Sequence, residues 1–246
     1  MKKSIIVGAA LLGACVWTST QPDARALESK RGFDWVLDTT DHFILHLQRG
    51  SSAAARTGLL GFQLDRARER TLQILNVKDF PDRIDVFAVS SRDRMDELVG
   101  RSIDGIAFYR SKVITLVLGD SVSGSPAHEV FHVIAMNVWG VGPVWLNEGL
   151  SVHAAGNWRG RDVHAIAREL KARGQLATLE QLTKDFRTLR PQTAYPQAGS
   201  LVRFIRERYN PEALHALWLE NDNEFTRLAG IDLAAMDRLW RDWLAR

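Results

Sequence analysis

Apolar and polar positions follow two rhythms along this chain, one of period two in the first half and one of period 3.6 in the second. From Asp41 to Leu47 the residues alternate, with Phe43, Leu45 and Leu47 on one face and His42 and His46 on the other, which predicts a strand. With no third ligand type nearby, the two histidines read as surface residues. Ser51 to Leu75 predicts a helix whose buried stripe is Leu60, Leu64, Ala67, Thr71 and Ile74 or Leu75, with Asp65, Arg66, Arg68 and Glu69 facing water. After the Pro81-Asp82 turn, Ile84 to Val89 predicts a second strand. Ser90 or Ser91 caps a short helix that runs through Val99 and ends at Gly100. Ile103 to Phe108 and Val113 to Leu118 predict two more strands, completing a small mixed sheet with a covering helix. Val113 to Leu118 is apolar throughout and fits either a sheet edge that pairs with an extended peptide or a buried central strand.

The second rhythm begins at Ser125-Pro126, a cap residue followed by proline at the first helical position. That helix carries His128, Val130, Phe131, Ile134, Ala135 and Val138 and stops at Gly140. Gly142-Pro143 turns the chain into a second helix from Val144 to Ala155, ended by Gly156. Beyond Gly160 the pattern is helical throughout: Arg161 to Arg173, Leu179 to Asp185, Pro196 to Tyr209, Pro211 to Leu219 and Leu233 to Leu244. Trp218, Trp240 and Trp243 read as core packing. The fold class expected is α+β: residues 41–124 an α/β lobe, residues 125–246 a helical lobe, and the 125–140 helix between them.

Composition changes the picture mainly at the N-terminus. The 246 residues are 46% hydrophobic and 25% charged, ordinary for a folded globular chain. Lys2-Lys3 before the apolar run Ile5 to Val16 has the form of an export signal, and the run is too short to span a membrane. Without Lys2 and Lys3 the formal charge falls from +3 to +1, so the exported body is nearly neutral. No basic run or stacking signature points to nucleic acid. Cys15 is the single cysteine, so no disulfide can form within the chain. Leu12-Gly13-Ala14-Cys15 is similar to a lipobox, which would place residues 1–14 in the signal and a lipid on Cys15. Ala24-Arg25-Ala26 instead offers an ordinary cleavage site after residue 26. Either route gives a periplasmic or envelope protein, with residues 27–40 as a linker before the domain at 41–246.

The candidate chemistry lies in His128-Glu129-Val130-Phe131-His132. Histidines four apart share a helix face and can reach one metal, with Glu129 beside them. Hydrolytic zinc takes three protein ligands and leaves a position for water. Glu148, near the start of the next helix, is the candidate third ligand. Glu129 would then take a proton from zinc-bound water and return it to the leaving nitrogen. His153 does not share that helical face and reads as structural.

These residues, with Trp145-Leu146-Asn147-Glu148-Gly149-Leu150 and Tyr195-Pro196-Gln197-Ala198-Gly199-Ser200-Leu201-Val202, resemble the gluzincin zinc metallopeptidases and most closely their peptidase-MA-like group. The resemblance implies a zincin-like fold and one Zn2+ per chain on His128, His132 and Glu148, with Glu129 as general base. It also implies Tyr195, before a helix opened by Pro196, as hydroxyl donor to the oxyanion. Only fifteen residues separate His132 from Glu148, fewer than in thermolysin-like relatives, so substrate rules do not carry over. The expected activity is hydrolysis of peptides or proteins in the envelope, with an endopeptidase as the default. A zinc-binding envelope scaffold without turnover, and a hydrolase of non-peptide amides, are the alternatives.

Overall fold

The computed structural model describes residues 21–119, 123–209, 211–220, 225 and 230–245. The apolar run at Ile5 to Val16, with Cys15, lies outside them. A short helix α1 (Ala24–Glu28) opens the described chain, followed by strands β1 (Trp35–Thr39) and β2 (Phe43–Gln48) and helix α2 (Thr57–Leu75). Strand β3 (Ile84–Val89), helix α3 (Arg92–Val99), and strands β4 (Gly105–Phe108) and β5 (Val113–Val117) complete the α/β part. The sheet order is β1-β2-β3-β5-β4, with β2, β3 and β5 parallel and both edges antiparallel.

Alternation along β3 separates two cores. Ile84, Val86 and Ala88 join Leu64, Ile114 and Val130 in the main core under α2, while Phe87 and Val89 join Leu27, Met95 and Leu98 on the opposite face. With both faces covered, a central strand needs apolar residues at every position, which is how Val113–Val117 reads. β5 pairs with β3 on one side and β4 on the other, so it is central, and the edge is β4.

The same double cover corrects several expectations. His46 is buried, not a surface residue: it stacks on Phe87 with centroids 4.1 Å apart and its Nε2 lies 2.8 Å from Asp85 Oδ1. Arg68 also points inward, to Asp79 and the Phe80 carbonyl. Within residues 27–40, expected as linker, Leu27 is buried in the second core and Trp35–Thr39 pairs with β2.

The helical part comprises α4 (Pro126–Val138), α5 (Val144–Ala155), α6 (Val163–Ala172), α7 (Leu179–Lys184), α8 (Pro191–Arg208), α9 (Pro211–Glu220) and α10 (Leu233–Trp243). Among the described residues no helix is long and apolar enough to cross a membrane. α4 and α5 match the expected hairpin closely. α8 differs: it opens at Pro191, with Pro196 inside it. Pro191 suits the first turn, where a missing N–H costs nothing, so the local signal for a helix start was duplicated and the earlier proline prevailed. Trp218 and Trp240 are buried in the core, with Trp243 packed against it.

α5 and α8 meet along an interface lined by Gly149 and Gly199. A Cβ on Gly149 would stand 2.9 Å from the Ala198 carbonyl oxygen, and one on Gly199 would stand 2.7 Å from Val152 Cγ1. The two glycines let the helix axes approach, and that approach sets where α5 holds Glu148.

Candidate metal centre

Ser125 caps α4, its side chain accepting from the His128 amide, and Pro126 fills the first turn. One turn separates His128 from His132, and their rings meet edge to face with centroids 4.6 Å apart. α5 returns across them after the Gly142-Pro143 turn. A Cβ on Gly142 would stand 2.4 Å from the Trp218 ring, so only glycine fits where the turn passes under that indole. The Trp218 Nε1 donates to the Gly140 carbonyl at 3.0 Å, tying α9 to the same turn.

The hairpin brings three ligand atoms together. His128 Nε2 and His132 Nε2 are 3.0 Å apart, and Glu148 Oε2 lies 3.2 Å from the first and 3.4 Å from the second. All three side chains are buried. Ligand atoms held tetrahedrally at ~2.0–2.1 Å from one ion stand ~3.3–3.4 Å from each other. The observed triangle has nearly those edges. Glu148 Oε2 has the two imidazole nitrogens as its polar neighbours. His128, His132 and Glu148 thus form a buried cluster that could hold a metal ion, and the donor set suits zinc.

His132 is held from behind. Its Nδ1 lies 2.9 Å from Asn147 Oδ1 and 3.1 Å from Ser151 Oγ. The Asn147 amide nitrogen faces Met136 Sδ at 3.5 Å, which assigns the oxygen to the imidazole side. A proton on Nδ1 donating to Asn147 leaves the Nε2 lone pair facing the cluster. Sequence reading passed over Asn147 and Ser151. Their positions one before and three after Glu148, on the ligand-bearing helix, were the available signal.

Glu129 is buried on the first turn of α4, beneath β4. A Cβ on Gly105 would come within 2.7 Å of Glu129 Oε1 and 3.2 Å of its Cγ and Cδ. The glycine in the edge strand therefore makes the space in which this carboxyl sits. Burial raises the Glu129 pKa, opposed by His128 and His132 and reinforced by the charges of Glu148 and Asp104. For Glu148, burial would also raise the pKa, but the electrostatic attraction of His132 and the contacts of both imidazoles override it, down to about 2. Two carboxyls in one site are driven apart, one toward proton affinity and one toward permanent charge.

Tyr195, on α8, stacks on Trp158 at 4.6 Å and meets Phe186 edge-on at 5.1 Å. Its ring centroid is 6.3 Å from that of His128, so the tyrosine borders the cluster from the α8 side. His153 lies one turn or more beyond Glu148, in contact with Arg206 rather than with the cluster.

A family model described as the Peptidase MA superfamily matches residues 104–246, which spans β4, both hairpin helices and everything after them. No curated protein matches the chain.

Proposed function

The chain belongs to the Peptidase MA superfamily, and from that premise we propose that it is a zinc-dependent peptidase of the cell envelope, an endopeptidase, with Glu129 as its general base. The observation that carries the reading is the triangle of His128, His132 and Glu148, with the buried Glu129 carboxyl next to His128 on the same helix. His128, His132 and Glu148 would hold one zinc ion, which supplies Lewis acidity to a water and to the scissile carbonyl. The chain's own part is proton handling and orientation. Glu129 accepts a proton from the attacking water as the C–O bond forms, then delivers it to the nitrogen as the C–N bond breaks. Asn147 and Ser151 keep His132 in the tautomer that leaves Nε2 free for the cluster. Tyr195 donates its hydroxyl to the oxyanion. A peptide substrate lies along β4, the edge strand whose Gly105 packs on Glu129 and whose outer side no described strand pairs with.

Export is supported by Lys2-Lys3 and the apolar run that follows. Between the two processing routes, the packing of residues 21–28 favours the one at Cys15. Ser111 Oγ donates to the Pro22 carbonyl at 2.7 Å and Asp23 caps α1, so a cut after Ala26 would sever α1 and remove both contacts.

The deciding experiment is Glu129→Gln, with metal content and cleavage of a quenched peptide library measured on the same preparations. Retained zinc with hydrolysis reduced by roughly 10²–10⁴-fold is the expected result for loss of a general base. Full hydrolysis by the variant would remove Glu129 from its role. A zinc-loaded wild-type protein with no turnover on any peptide would leave a binding scaffold.

A further inference from the structure

Away from the metal cluster, the C-terminal end of α5 faces a cleft of about 270 Å³ lined by Arg66, Glu69, Arg70 and Gln73 of α2 and Arg206 of α8. That is just below the ~300–1,000 Å³ of sites for drug-sized ligands, and it suits a small anion. The charge balance is unusual. Glu69 is the one carboxylate in the lining, and Arg66 takes it up at 2.8 Å. Arg70 and Arg206 have no carboxylate partner among the described residues; instead both converge on His153. Arg70 Nη2 donates to the His153 carbonyl at 2.9 Å, and Arg206 Nη1 donates to His153 Nε2 at 3.0 Å. An imidazole that accepts that bond is neutral, and histidine carries no negative charge in any state, so His153 does not balance the two guanidiniums.

Capping the α5 carbonyls explains one guanidinium there but not two. The pair repel each other, and the Arg70 pKa is lowered by burial first and by Arg206 second. Both line the cleft, and a guanidinium presents its donors as a planar fork that suits a tetrahedral oxyanion. We propose that the cleft between α2 and α8 is a binding site for a phosphate group, held by Arg70 and Arg206. The group could belong to free phosphate or to a lipid headgroup. Leu59 and Phe62, 54% and 64% exposed on the same face of α2, give a lipid something apolar to meet.

The test titrates inorganic phosphate into the full chain at constant ionic strength, following the imidazole resonances by NMR and thermal unfolding in parallel. Saturable shifts of the His153 signals, and a rise in Tm that chloride does not reproduce, are expected. Arg70→Gln with Arg206→Gln should weaken binding at least tenfold. Shifts confined to His128 and His132 would place the phosphate at the metal cluster and overturn the proposal, as would no saturation or unchanged binding by the double variant. Because the His153 signals are read on the wild type, the test survives poor folding of the double variant. Sedimentation with phosphatidylglycerol vesicles, against phosphatidylcholine, separates the sources. Binding lost in Phe62→Ser as well as in the arginine variant identifies the headgroup, and phosphate binding without vesicle binding identifies the free anion.

Discussion

Gly105→Ala is the sharpest test of how Glu129, the proposed general base, is positioned. The added Cβ would stand 2.7 Å from Glu129 Oε1 and 3.2 Å from both Cδ and Cγ, against ordinary contacts that begin at 3.4 Å. Either the carboxyl or the strand has to retreat by about 0.7 Å, and overpacking of this kind costs roughly 1–3 kcal/mol in stability. The strand is held by its ladder to β5, with Gly105 opposite Leu116, and α4 is packed on the other side, so the side chain gives way first. Misplacing a catalytic group by ~1 Å costs about 10²-fold in rate, so ~0.7 Å should cost on the order of 10- to 100-fold in kcat, or roughly 1.4–2.7 kcal/mol of barrier. The assay is steady-state hydrolysis of a quenched peptide, with zinc stoichiometry and Tm measured on the same sample. Zinc content should stay at the wild-type value, because the ligand triangle does not touch Gly105. Wild-type kcat in a folded, zinc-replete Gly105→Ala protein would refute the placement of Glu129 as base.

The remaining expectations concern the supports of the site. Asn147→Ala removes the acceptor for His132 Nδ1 and should weaken zinc affinity by about 10- to 100-fold in a chelator competition, with secondary structure unchanged. Gly142→Ala drives a Cβ into the Trp218 ring and should destabilise by roughly 1–3 kcal/mol in denaturant titration, with the α4–α5 turn moving as well. The His153 pKa is lowered to about 4 by burial first, then by Arg206, Arg70 and Arg203. Between that value and about 6.5 the unfolded chain binds more protons, so stability falls as pH drops through this window, by up to roughly 3 kcal/mol. His153→Gln should flatten that part of the stability profile, and an unchanged slope would assign it to other groups.

The sequence by itself determined the parts whose chemistry is local. Ser125-Pro126 opens α4, Gly142-Pro143 turns it back, and the His-x-x-x-His spacing puts both imidazoles on one face, because capping, turn geometry and helical period are properties of neighbouring residues. It could also place Glu148 on the following helix. Whether the three ligand atoms meet within 3.4 Å was decided by the tertiary structure, through the close approach of α5 and α8 at Gly149 and Gly199 and the seating of the turn under Trp218. The edge strand was decided there too: Val113–Val117 reads alike as edge or centre, and only pairing between residues distant in sequence resolves it. His46 looked exposed for the same reason, since alternation fixes which residues share a face but not whether a second layer covers that face. Asn147, Ser151 and Gly105 belong to this second class. Their identity is plain in the chain, but their relation to His132 and Glu129 exists only once helix and sheet are packed together.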